Sequence, residues 1–128
     1  MTWKIEVVPV PVTDVDRAKA FYVDKLGFHA DYDQRPTEGI RFVQLTPPGS
    51  ACSIVMGEGV VTMPPGTQKG TMIVIPDADE ERAKLVANGV EVSPVDEREW
   101  GRFLYFSDPD GNEWTLQQLP DDATPPPE

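Results

Sequence analysis

The hydrophobic pattern of the chain occurs twice. Val12-Thr13-Asp14-Val15-Asp16 opens a stretch in which Val15, Ala18, Tyr22 and Leu26 share one helical face with Phe21 beside them, while Asp16, Arg17 and Asp24 point away. Leu26-Gly27-Phe28 closes it. Ile75-Pro76-Asp77-Ala78-Asp79 opens a second such stretch, which runs through Leu85 and Val86 to Asn88-Gly89-Val90. The leading aspartates are 63 residues apart (77 − 14) and the closing glycines 62 (89 − 27), the signature of an internal repeat. Asp14 predicts an N-cap and Gly27 a left-handed residue past the helix end. Asp77-x-x-Glu80 predicts a capping-box-like start for the second helix.

Strand-like runs surround each helix, at residues 4–12, 29–32, 40–45 and 51–56 in the first half and 71–75, 90–95, 102–106 and 113–119 in the second. Each half therefore reads β-α-β-β-β. The expectation is an α+β fold in which two such modules, about 1–60 and about 66–119, form a curled eight-stranded mixed sheet around a cleft, with one helix per module. Residues 1–119 make a single domain, and the tail 120–128, PDDATPPPE, has no apolar anchor and reads as disordered. Pro9 and Pro11 fall inside the first strand and each removes a ladder donor there. Asp108-Pro109-Asp110-Gly111-Asn112 reads as the turn between the last two strands.

Composition narrows the functions available. Among 128 residues, 22 acidic against 11 basic ones give a net charge of −11, so no basic stripe exists for nucleic-acid phosphates. The longest aliphatic run, Met72 to Ile75, is too short to span a membrane. The opening MTWKIEVV has no basic segment followed by an apolar one, so a cytoplasmic chain is expected. A single cysteine, Cys52, excludes an internal disulfide framework and a cysteine metal cluster; a single histidine, His29, excludes a site built on two imidazoles of one chain. Cys52 reads as a small buried hydrophobe.

The pairing of VTDVDRAKAFYVDKLGF near the start with FSDPDGNEWTLQQ near the end resembles the vicinal oxygen chelate superfamily, which includes glyoxalase I, extradiol dioxygenases and the fosfomycin- and bleomycin-resistance proteins. The likeness runs to Leu119. Enzymes of that superfamily hold a divalent metal through His, Glu or Gln side chains on four strands. Counted from the two helix starts and the DPDG turn, the resemblance carries those positions to Val7, to Ser53 or Val55, to Thr71 and to Thr115. None offers the imidazole or carboxylate that a divalent cation needs, so no metal and no other cofactor is expected. His29 stands at none of these positions.

Strand parity then predicts the cleft lining: Val7, Ser53, Val55, Thr71, Ile73, Thr115 and Gln117, with Phe103 and Tyr105 facing inward from the seventh strand. Tyr105 matches a tyrosine that touches the ligand in fosfomycin-resistance relatives. Trp100 and Arg102 flank the start of that strand, the first placed to stack on a flat ligand and the second to pair with an anionic group. Apolar walls with a few polar groups are the character of a small-molecule site. The expected function is metal-independent binding of a hydrophobic or aromatic small molecule, such as a drug or natural product to be sequestered, by a homodimer. A superfamily enzyme, whether isomerase, lyase or dioxygenase, is the alternative, although no acid–base or nucleophile–base pair stands at a recognisable spacing, and no catalytic residue is named. A filled cleft in a structural module is the third reading.

Overall fold

A computed structural model describes residues 2–120. Its order is β1 (Val7–Pro9), α1 (Val15–Ala20), β2 (His29–Gln34), β3 (Arg41–Thr46), β4 (Ser53–Glu58), β5 (Thr71–Val74), α2 (Ala78–Ala87), β6 (Asp96–Arg98), β7 (Gly101–Ser107) and β8 (Glu113–Gln118). The fold is α+β. The eight strands make two four-stranded mixed sheets, ordered β1-β4-β3-β2 and β5-β8-β7-β6, each with one parallel pair at the β1 or β5 edge. The two halves thus repeat one topology, as the offset motifs predict. The chain divides into two compact units: the first 69 residues with Asp108–Asn112, and the remainder from Gly70.

In the first unit α1 starts where the Asp14 carboxylate accepts from the Arg17 amide at 3.1 Å. The helix then widens into a π turn over Phe21–Lys25, with Leu26 N donating to Phe21 O five residues back, and ends at Gly27 with φ 79°. Val15, Ala18, Phe21 and Tyr22 pack with Val10, Val43, Leu45, Ile54 and Met56, all buried. In the second unit the Asp77 carboxylate caps α2 by accepting from Glu80 N at 3.0 Å. Ala78 and Leu85 face β7 and β8, where Leu104, Phe106, Trp114 and Leu116 are buried, whereas Val86 is half exposed.

Two strands are shorter or displaced. The first is Val7–Pro9 rather than 4–12: Pro9 and Pro11 have no amide to donate, and Pro11 O is taken by Gly66 N and by the Asn112 side chain. Trp3 and Ile5 accordingly stand exposed. The sixth strand forms at Asp96–Arg98 and not at 90–95, where Val92 makes a lone bridge to Phe106 and Pro94 breaks the donor pattern. Of the segment 120–128, residues 121–128 lie outside the described residues.

The DPDGN turn is the polar centre of the first unit. The buried Asp108 carboxylate accepts from Tyr22 OH at 2.6 Å, from the Asp110 and Asn112 amides at 2.9 Å each, and from Asn112 Nδ2 at 2.8 Å. Asn112, fully buried, also donates to Pro11 O and accepts from Gln68 N. A second polar cluster lies at the sheet edge, where Arg41 Nε and Nη2 grip Asp33 at 2.9 and 2.8 Å and Nη1 reaches Asp16 on α1. The Arg41 guanidinium, helped by Lys19, holds the Asp33 carboxyl far below the usual carboxylate range.

Asn112→Ala strips partners from three buried groups at once, and should cost about 2–4 kcal/mol in urea unfolding; Tyr22→Phe, which removes one donor, should cost about 1–3 kcal/mol. The folded-state pKa of Asp33 is depressed, so its contribution is complete above its unfolded value of about 4 and is lost as pH falls below that. Asp33→Asn should therefore lower stability near neutral pH and flatten the acid limb of a stability–pH curve; an unchanged limb would contradict this.

Candidate functional site

The face of the second sheet away from α2 carries the candidate site. Arg102 and Gln118 are register partners, and both reach α2, through Asp79 and through the Ala78 amide. The alternate positions Phe103, Tyr105, Thr115 and Gln117 therefore project from the other face. On that face a recess of about 470 Å³ is lined by Met72, Arg98, Trp100, Phe103, Tyr105 and Thr115. The Phe103 and Tyr105 rings lie parallel, 2° apart in plane and 6.5 Å between centres, which is the spacing of side-by-side neighbours on one strand. Phe103 is buried, whereas Tyr105 is partly exposed. Trp100 stands 60% exposed in the turn between β6 and β7, and its carbonyl accepts from Gln117 Nε2 at 3.1 Å.

The polar groups of the recess form a small network. Tyr105 OH donates to Asp96 at 2.7 Å, and Arg98 Nε donates to both oxygens of the same carboxylate at 3.0 and 3.2 Å. The bond from Tyr105, followed by that from Arg98, lowers the Asp96 pKa, and the same hydrogen bond to Asp96 raises that of the Tyr105 phenol.

Of the residues expected at the cleft, Trp100, Phe103, Tyr105 and Thr115 line this recess and Gln117 shares its face. Thr71 and Ile73 do not. Met72 pairs with Thr115 and Val74 with Gln117, so Thr71 and Ile73 lie on the α2 side of β5 and Met72 takes the recess position. The slip is one of parity: Val7 stands an odd seven residues before its helix-capping Asp14, whereas Thr71 stands an even six before Asp77. Arg102 also faces α2, where Asp79 at 2.9 Å and Glu97 at 2.9 Å occupy its guanidinium and raise its pKa. It is not placed to receive a ligand in the recess.

Val7, Ser53 and Val55 belong to the first unit. Val7 pairs with Ser53, and with Val55 they share the sheet face opposite Ile54 and Met56. There Ser53 Oγ meets Thr46 Oγ1 at 2.6 Å, Thr46 donates to Asp31, and Asp31 pairs with exposed His29 at 2.8 Å. The Thr46 hydroxyl and then His29 lower the Asp31 pKa. Cys52 is half-buried, more open than a core hydrophobe. Met72, Arg98, Asp96, Asp31 and Thr46 escape the sequence reading. Asp96-x-Arg98 carries the alternation of a strand face, but the expected strand stops at 95.

A family model for the Glyoxalase/Bleomycin resistance protein/Dioxygenase superfamily matches residues 4–116. The chain belongs to that superfamily. It is 38% identical to TnmS3, an antibiotic binding protein from Streptomyces sp. CB03234, with a TM-score of 0.84 over 93% of this chain and 98% of that one. A glyoxalase/bleomycin resistance protein from the same Streptomyces is 39% identical, with a TM-score of 0.79 over 90% of this chain and 100% of the other. YetH of Bacillus subtilis (strain 168) is 28% identical over 120 residues, 92% of this chain and all of that protein.

Enzymes of the superfamily use a divalent metal, and the donors here do not fit one. Val7, Ser53, Val55 and Thr115 are aliphatic or hydroxyl groups and the remaining position is the Met72 thioether, while no three His, Cys, Asp or Glu side chains converge among the described residues.

Alkaline titration followed by NMR should show the Tyr105 phenol ionising above the ordinary value of about 10, because ionisation gives up the hydrogen bond it donates to Asp96. Asp96→Asn should bring it down; an unmoved midpoint would contradict the bond.

Proposed function

We propose that this superfamily member binds a flat hydrophobic or aromatic small molecule in the recess of its second unit and needs no metal to do so. The parallel Phe103–Tyr105 pair carries the reading: it backs a recess whose exposed members include Tyr105, Trp100 and Met72. The recess volume falls within the roughly 300–1,000 Å³ of small-molecule sites. A planar ligand in the recess would meet the exposed Tyr105 and Trp100 rings, and the Met72 sulfur adds a polarizable edge. The likeness to an antibiotic binding protein supports sequestration of a natural product as the biological use. On this reading the protein works as a cytoplasmic pair of identical chains. The pairing is tested by light scattering, where a monomer mass would contradict it.

A panel of aromatic natural products should give saturable quenching of tryptophan fluorescence. Trp100→Phe, which shortens one stacking partner, should weaken affinity roughly two- to twelvefold, equivalent to about 0.5–1.5 kcal/mol. Thr115→Trp should fill the recess and abolish binding while leaving the melting temperature near that of the wild type. Absence of saturable quenching, together with unfolding by Thr115→Trp, would show the recess to be packed core. Chelator-washed protein should bind as well as untreated protein; binding restored only by added zinc, nickel, manganese or iron would overturn the metal-independent part.

A further inference from the structure

We propose that Arg98, tethered by Asp96 at the edge of the recess, selects aromatic ligands that carry an anionic oxygen at the ring edge. The inference rests on the ligand-binding reading and adds the chemical class of the ligand. Its basis is the distribution of donors. The Arg98 Nε–H is shared between both Asp96 oxygens, and one of them also accepts from the Tyr105 hydroxyl, so the carboxylate is already engaged. Tyr105 has spent its proton there and offers the recess only lone pairs. The terminal amino groups of Arg98 remain, with no acceptor among the described residues. They are the recess's strongest unspent donors.

The strand geometry aims them. Asp96 and Arg98 alternate on β6 and so share a face, with Asp96 opposite Phe103 and Arg98 opposite Gly101. Gly101 has no side chain, and the space a Cβ would take there is closed by the Gln118 carbonyl and the Gln117 side chain; the guanidinium itself is half exposed at the recess rim. A bond through Nε fixes the plane of the fork while leaving its outer edge unused, the edge that meets a carboxylate or acidic phenol in a bidentate way. A ring lying against the exposed Tyr105 ring would present its edge substituent there. The chain's net charge of −11 works in the opposite direction, attracting cations at long range. A preference for an acid must therefore come from a local donor.

The test uses three probes with one ring system and different heads: 2-naphthoate, neutral 2-naphthamide and the 2-naphthylmethylammonium cation. Each is titrated calorimetrically against wild type, Arg98→Met and Arg98→Lys at fixed ionic strength. Arg98 is half exposed, so the naphthoate should bind about three- to tenfold more tightly than the cation in the wild type. Arg98→Met, which keeps the apolar stem, should bring the probes within about twofold of one another. Arg98→Lys should retain part of the preference, since it keeps the charge and loses the fork. Equal binding of all probes to the wild type, or a naphthoate preference surviving in a folded Arg98→Met protein, would overturn the inference and leave the ligand-binding reading standing. No binding of any probe would overturn both.

Discussion

The buried carboxylate of Asp108 is the interaction on which the rest depends. It sits in a loop that joins β7 to β8 in sequence but belongs to the first unit, and it is held by a tyrosine hydroxyl, two amides and the Asn112 side chain. A charge taken out of water is tolerated only where such donors replace the water. The DPDGN turn is therefore a structural requirement before it is a family mark: Asp108 accepts, Gly111 takes φ 90° at the tight corner, and Asn112 ties Pro11 O to Gln68 N. β7 and β8 leave from the two ends of that turn, and they carry Phe103, Tyr105 and Thr115.

The same economy of hydrogen bonds separates the two arginines that the sequence places near the site. Arg102 is spent on Asp79 and Glu97 and secures β7 to α2. Arg98 is spent on one side only. One strand position decides which is structural and which faces the recess. The recess brings together Tyr105, Trp100, Met72 and the half-exposed Arg98 guanidinium.

Much of this was legible in the chain itself. The offset Asp14/Asp77 caps and Gly27/Gly89 ends give both helices and the repeat, and strand alternation correctly separates Phe103 and Tyr105 from Leu104 and Phe106. The misplacements have physical sources. Parity arguments carry no absolute origin, so an even count from Asp77 moved Thr71 and Ile73 to the wrong face of β5. Val90–Val95 looks like a strand by composition, yet Pro94 leaves no ladder to form, and pairing begins at the charged Asp96–Arg98, which composition reads as a loop. Partners distant in sequence, such as Asp79 for Arg102, leave no local trace at all.

The proposed seat of the ligand is the face of the second sheet that carries Tyr105, Trp100 and Met72. A heteronuclear NMR titration of the whole chain with 2-naphthoate tests it most directly. Saturable shifts should concentrate at Met72, Arg98, Trp100, Phe103, Tyr105 and Thr115, with Thr71, Ile73 and Arg102 on the opposite face little changed. Shifts centred on that opposite face or on α2, or no saturable shift at any residue, would contradict the account.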